Sequence, residues 1–449
     1  MTCSAKHVIM STGSCSASVL IIVLWVAVGL LAVTLTFGRS MMMSYRSVDN
    51  GLAGTEADQA IEGALRYIET VLSNTATPGE VPDIASYESE DVPVGEARFW
   101  IIGRSADQQN SGEPAYGLID EASKLNINKA TSQTLEYLVG MTPEFAGAMQ
   151  DWRDEDDEPG PNGAESETYL LQSPAYSCKN ADFESVDELF LVAGADDLIL
   201  YGEDANLNGI LDPNEDDADR ALPTDNGDGK LDPGILDYVT AFSREPDKQK
   251  DGTARVDGRT RSPELTEYLT AKLGDRATTI EQAIPAQGGI RSLMEFYLVT
   301  GMTAEELTKI QGDLSFGDRD NIGLVNVNTA NEAVLAAINE IGPDNAAKIV
   351  AARANRTATG TDFTWIADDS VLGRQGAIDA GPFVTGRSFQ FSVDVAAVGR
   401  HGRGYRRTRF IIDMSTGSPR VIHRQNLAPL GWALGSDVRL MLAERKETR

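Results

Sequence analysis

The run Asp204-Ala205-Asn206-Leu207-Asn208-Gly209-Ile210-Leu211-Asp212-Pro213-Asn214-Glu215 has the spacing of a twelve-residue calcium loop. Side-chain oxygens fall at positions one, three, five, nine and twelve: Asp204, Asn206, Asn208, Asp212 and Glu215. Ile210 offers its carbonyl at seven, Gly209 supplies the sharp turn at six, and Leu211 packs the loop inward. A solvated acidic loop would need neither Gly209 nor Leu211. Hard oxygen donors in this order suit Ca2+, and one ion is expected here.

A related loop follows. Gly229-Lys230-Leu231-Asp232-Pro233 repeats Gly209-Ile210-Leu211-Asp212-Pro213, with Asp225, Asp228, Asp232 and the Asn226 amide around it. Thr224 stands at its first position and Ile235 at its twelfth, so the bidentate acid is missing and Asp237 is the candidate substitute. A second ion is left open. A third acidic run holds Asp151, Asp154, Glu155, Asp156, Asp157, Glu158 and Glu165. Carboxylates this dense serve as acid/base groups, close a cation site, or line a solvated turn. Asp154 and Glu165 are the expected ligands if a metal binds.

The rest of the composition narrows the function classes. The net charge of −29 opposes nucleic-acid phosphates and attracts cations. Cys3, Cys15 and Cys178 give no disulfide framework, and His7, His401 and His423 are too scattered for a zinc site. Cys178 reads as a small buried hydrophobe. No nucleophile elbow or catalytic triad is present, so an enzyme is not expected.

The elements that must carry these loops begin at Val19–Phe37, an uncharged run long enough for a membrane-spanning helix. Small and apolar residues from Ala53 to Leu72 recur at helical spacing, so the helix is expected to continue, with Gly51 and Gly54 as weak points. Residues 73–93 read as a loop. Strands are expected at Ala97–Ile102, Tyr116–Asp120, Ser388–Val398, Arg406–Met414 and Arg420–Arg424, forming one antiparallel sheet with a large insertion. The basic residues at 400–409 read as a solvated edge hairpin.

The insertion carries a repeat. Leu125-Asn126-Ile127-Asn128 matches Val325-Asn326-Val327-Asn328, and the register runs on through Pro143/Pro343 and Arg153/Arg353. Each copy is expected to hold an Asn-capped helix, a turn and a second helix. Ser185–Gly194 and Ser292–Gly301 form a second matched pair, read as short helices stopped by glycine. Helix, turn and helix opened by Asn-x-Asn resembles the helix-hairpin-helix family, but the turns at Val139-Gly140-Met141-Thr142-Pro143-Glu144 and Glu340-Ile341-Gly342-Pro343-Asp344 carry acids, not a basic escort.

At the N-terminus, Lys6-His7, then Gly13, then the apolar helix resembles a type IV pilin-like leader, which implies a cut between Gly13 and Ser14. The fifth mature residue is Ser18, where most of that family has glutamate; the K class of pseudopilins lacks it. With Leu125–Asn128, Asp151–Asp157, Gly163-Ala164-Glu165, Tyr169, Ser185–Gly194 and Val325–Ala330, the chain resembles the K-type minor pseudopilin family of the type II secretion system.

The resemblance implies an α+β chain with a long N-terminal helix, a pilin-like antiparallel sheet and a large inserted helical domain with bound calcium. It implies a leader at 1–13, a helix at 14–72, sheet segments at 73–122 and 386–430, an insertion at 123–385 with repeat halves 123–200 and 285–370, and a tail at 431–449. It also implies methylation, a single-pass inner-membrane anchor and a periplasmic head. The implied partners are the I- and J-type minor pseudopilins, the major pseudopilin, and a secreted substrate or outer-membrane channel, but no nucleic acid. Two other readings stay open: a calcium-stabilised pilus or adhesion scaffold, and a DNA-uptake protein.

Overall fold

The computed structural model describes residues 15–104, 114–218, 220–317, 322–356 and 360–447. Gly13 and Ser14, where the leader cut is expected, lie outside them. Helix α1, Cys15–Ser73, runs unbroken for 59 residues. Its first half exposes Leu20, Trp25, Leu31 and Phe37. By length and composition this helix can cross a membrane. Its second half buries Ala53, Ala57, Ala60, Ile61, Ala64, Ile68 and Leu72. This stripe packs on Phe99, Ile101, Val393, Val395 and Phe410.

Those residues belong to one antiparallel sheet. Its strands are β1 (Val92–Val94), β2 (Ala97–Ile102), β3 (Ile119–Asp120), β4 (Gln390–Gly399), β5 (Arg403–Asp413) and β6 (Arg420–Asn426). The order is β1-β2-β4-β5-β6, with β3 also paired to β4. Ile101 on β2 sits opposite Val395 on β4, so the sheet closes across a long excursion of chain.

Gly51 and Gly54 do not break α1. A Cβ on Gly399 would stand 2.0 Å from Ala53 O, and one on Gly404 2.3 Å from Gly54 N, so helix and sheet meet backbone to backbone there. Four arginines then pair with acids along the helix: Arg403 with Asp49, Arg400 with Glu56, Arg406 with Asp58 and Arg424 with Glu62. This corrects the expectation of a solvated edge at 400–409. Strand β5 is interior, the edge is β6, and the arginines fasten the helix. Arg407 and Arg409 instead reach Asp394 on β4. Burial raises the Asp394 pKa, but the two guanidiniums outweigh it and hold the carboxyl well below the usual range.

The excursion repeats one unit. In the first copy Leu125–Asn126 pairs in parallel with Val239–Thr240, followed by α2 (Ser132–Glu136) and α3 (Pro143–Arg153). In the second, Val325–Asn326 pairs with Val384–Thr385, followed by α4 (Glu332–Ala337) and α5 (Gly342–Ala354). Asn126 and Asn326 accept the N–H of Asn128 and Asn328 at 2.9 and 3.0 Å. Arg153 donates to the carbonyls of Ile127 and Ala130, and Arg353 to those of Val327 and Ala330. Both copies share one core through Phe145, Trp152, Phe296, Val334 and Trp365.

The caps differ from the expectation. Thr131 and Asn331 cap the first helices. The second Asn of each motif is used elsewhere: Asn128 donates to Phe183 O and Asn328 to Asp362 O. The Ser185–Gly194 segment is a 3-10 helix at Val186–Leu191, whereas Leu293–Thr300 is an α-helix ended by left-handed Gly301. After β6 the chain forms a last helix, α6 (Gly435–Glu447), beside the sheet's second face.

Candidate cation centre

Among the described residues one acidic trio converges. Asp151, Asp154 and Glu165 each offer a carboxylate oxygen within 4.8 Å of the others. Asp151 lies on α3, Asp154 ends it, and Glu165 opens the short helix Ser166–Tyr169. The link between them wraps tightly over α3. A Cβ on Gly163 would stand 1.8 Å from Asp151 Oδ2, and one on Gly147 2.7 Å from Asn162 O. Asp151 accepts the N–H of Gly160 at 3.1 Å, and the Ala164 backbone also donates to it.

Both carboxylate oxygens of Glu165 and Oδ1 of Asp154 are buried with no N–H or O–H donor, and the donor beside Glu165 is the weak Cys178 thiol. Such groups are costly unless something pairs with them. Burial, then the charges of Asp151, Asp154 and Asp157, pushes the Glu165 carboxyl up to about 7. Burial also raises Asp151 and Asp154. Trp152, Tyr169 and Tyr176 stack beside the trio with centroids 5.1 to 6.3 Å apart. Cys178 lies against the Asp151 carbonyl at 3.6 Å, and burial pushes its thiol up to about 12, so it stays protonated.

The first loop is wound as its spacing requires. Leu207 and Gly209, at positions four and six, take φ of +53° and +71°. Asp204 accepts the N–H of Asn208 and Gly209 at 2.9 and 2.8 Å. Asn208 accepts that of Ile210 at 2.7 Å. Glu215 closes the loop on the N–H of Ala205 and Asp212 at 3.2 and 2.9 Å. Asn206 and Asn208 both donate to Asp212 Oδ2, while Asn206 Oδ1 is buried without a partner. Burial, then the Asp204 and Asp212 charges, pushes Glu215 up to about 8. Two arginines of the sheet region anchor the loop from outside. Arg104 donates to Leu207 O, and the fully buried Arg407 donates to Asn206 O and Leu207 O.

The second loop copies this winding with borrowed acids. Gly227 and Gly229 take φ of +65° and +76° at positions four and six. Asn226 donates to Asp232 at 3.0 Å, as Asn206 does to Asp212. Asp228 accepts from Lys230 N at 2.9 Å, as Asn208 does from Ile210. The missing closing acid is supplied by Glu203, whose carboxylate accepts the N–H of Asn226 and Asp232 at 3.1 and 3.0 Å. The missing first acid is supplied by Asp216, which accepts Gly229 N–H at 3.1 Å.

Glu203 and Asp216 thus flank the first loop and complete the second. Their positions lie outside the repeat register, which is why the sequence did not point to them. Asp237 is not the substitute: its carboxylate pairs with Arg104 Nε at 2.7 Å. Asp225 accepts the N–H of Asp217 and Ala218 and so closes the turn between the loops. The donors throughout are hard oxygens, and those at Glu165, Asp154 and Asn206 that no N–H or O–H reaches fit Ca2+.

The chain thus joins an apolar helix long enough to cross a membrane to a head of sheet and helices with acid-wound loops. Residues 117–200 match the family described as type II secretion system (T2SS), protein K. That stretch includes Asp151, Asp154 and Glu165, so this part of the chain is similar to the family. The chain is 45% identical over 53 residues to the type II secretion system protein K of Klebsiella pneumoniae, a stretch covering 12% of this chain and 16% of that protein. The solved GspK-GspI-GspJ complex from the enterotoxigenic Escherichia coli type 2 secretion system gives a likeness at 12% identity and TM-score 0.41, covering 87% of this chain and 98% of that one. A likeness that distant carries no argument here.

Proposed function

We propose that this subunit sits at the tip of a type II secretion pseudopilus, where it initiates assembly with the I- and J-type minor pseudopilins and supports protein secretion across the outer membrane. The observation that carries this reading is the division of α1 into an exposed apolar half and a half fastened to the sheet. The exposed half holds the subunit in the inner membrane, with the head in the periplasm, until neighbouring helices replace lipid. Before that, a prepilin peptidase cuts between Gly13 and Ser14.

The stretch 123–385 acts as an inserted, helix-hairpin-helix-like domain on a pilin-like sheet. Its bulk suits a filament end, because no subunit could stack above it. The turns carry Glu144 and Asp344, which argues against a nucleic-acid partner.

In this reading the head binds calcium. Asp151, Asp154 and Glu165 would hold one ion, and Asp204, Asn206, Asn208, the Ile210 carbonyl, Asp212 and Glu215 another. A third set is Asp216, Asn226, Asp228, Asp232 and Glu203. A bound ion would neutralise the clustered carboxylates. The chain's own work is to hold the oxygens in place: Arg104 and Arg407 fix the first loop's carbonyls, and Gly160 and Gly163 let the link close over Asp151.

Co-expression of the full chain with prepilin peptidase and I- and J-type minor pseudopilins tests the proposal. The expected result is a chain shortened by its leader that co-purifies with both partners and loses them in chelator. An uncut chain that purifies alone would contradict the tip role and favour a plain membrane-anchored scaffold.

A further inference from the structure

The C-terminal segment and the first loop share a side chain. Leu427 N–H donates to Arg407 O at 3.1 Å as the chain leaves β6. The segment then crosses the sheet's second face, where Ala433, Leu434 and Val438 pack with Trp100, Ile102, Ala396 and Val398. Trp432 stacks on Tyr405 at 5.1 Å, with the Arg439 guanidinium 5.1 Å from its ring. Without the segment this apolar face would lie open to water.

Asn206 ties that strap to the loop. Its Nδ2 donates to Asp212 Oδ2 at 2.8 Å and to Trp432 O at 3.2 Å. A cavity of about 370 Å³ lies between the two, bordered by Asp212, Glu215, Leu430, Trp432 and Arg439. An amide has one oxygen and one nitrogen. Two acceptors fix the nitrogen, so the buried, partnerless Oδ1 is the atom left for a cation. A cation on that oxygen would in turn keep the nitrogen on Trp432.

We propose that residues 427–442 form a strap over the sheet whose closure is coupled to cation occupancy of the first loop through Asn206. This rests on the calcium reading of that loop. It makes Asn206 a positioning residue with two duties: its oxygen serves the ion and its nitrogen serves the strap.

Hydrogen–deuterium exchange on the full chain in detergent, with calcium or with chelator, tests it. Slower exchange at 204–215 reports loop occupancy, and exchange at 428–442 reports the strap. In the wild type calcium should slow both, the strap by about tenfold, within the usual range of coupling between sites. Asn206→Asp keeps an oxygen for the ion but removes the donor to Trp432. Its loop should still respond to calcium while its strap does not, and unchanged protection of β4 will show that the variant is folded.

A wild-type strap that ignores calcium while the loop responds overturns the coupling and leaves the calcium reading intact. An Asn206→Asp strap that still responds also overturns it. A wild-type loop that ignores calcium overturns both.

Discussion

The two copies of the inserted repeat have one skeleton and opposite electrostatics. Each has a short parallel strand pair, two helices, an Asn-x-Asn turn and an arginine that ties the second helix back to the carbonyls of that turn. Where the first copy has Asp151 and Asp154, the second has Ala351 and Ala354. Asp151 is buried and Ala351 exposed. The skeleton is thus built without acids at those two positions, and the buried carboxylates of the first copy are a burden on stability unless a cation or a proton meets them.

The largest effect should come from what the copies share. Arg153→Ala and Arg353→Ala each leave buried carbonyls unpaired and should cost about 3 kcal/mol, read as lost exchange protection of α3 and α5 respectively. A large loss in one copy only would break the parallel. Next is the borrowed acid. Glu203→Gln should weaken calcium binding at the second loop about 10- to 100-fold while the first loop keeps its affinity, measured by calcium titration with exchange at each loop. Equal losses at both loops would mean that Glu203 supports the fold and not the second loop alone.

The pH response sharpens the contrast further. In the folded chain Glu165 and Glu215 sit at about 7 and about 8, against an ordinary 4.5. The folded state therefore binds protons that the unfolded state releases between those values. In chelator this contribution is fully present below pH 4.5 and is lost as pH rises through about 7 and about 8. Calcium competes with the same protons, so its affinity should rise over that window. Melting temperatures in chelator and calcium titrations at both ends of the window check the two signs. The smallest effect is at the caps. Thr131→Ala and Asn331→Ala should each cost about 1 kcal/mol in thermal unfolding, irrespective of calcium.

Local periodicity made much of this fold legible. The unbroken apolar run marked the first half of α1, small-residue spacing its second, and Ala97–Ile102 emerged as β2 with the expected bounds. The first loop was readable because its residues are contiguous. The second was only half readable, since Glu203 and Asp216 reach it from beyond its own register. The same limit explains the arginines of the hairpin. Their acids lie 344 to 354 residues away on α1, a pairing no local pattern encodes. Asp237 looked available in sequence because Arg104, its partner 133 residues off, was out of view.

The most direct test follows exchange along the whole insertion as calcium is withdrawn. Protection should fall at α3, at 160–170 and through both loops, by about 2.7 kcal/mol per ion at a hundredfold excess over Kd, while α4 and α5 hold theirs. Equal losses in the two copies, or no loss in either, would contradict it.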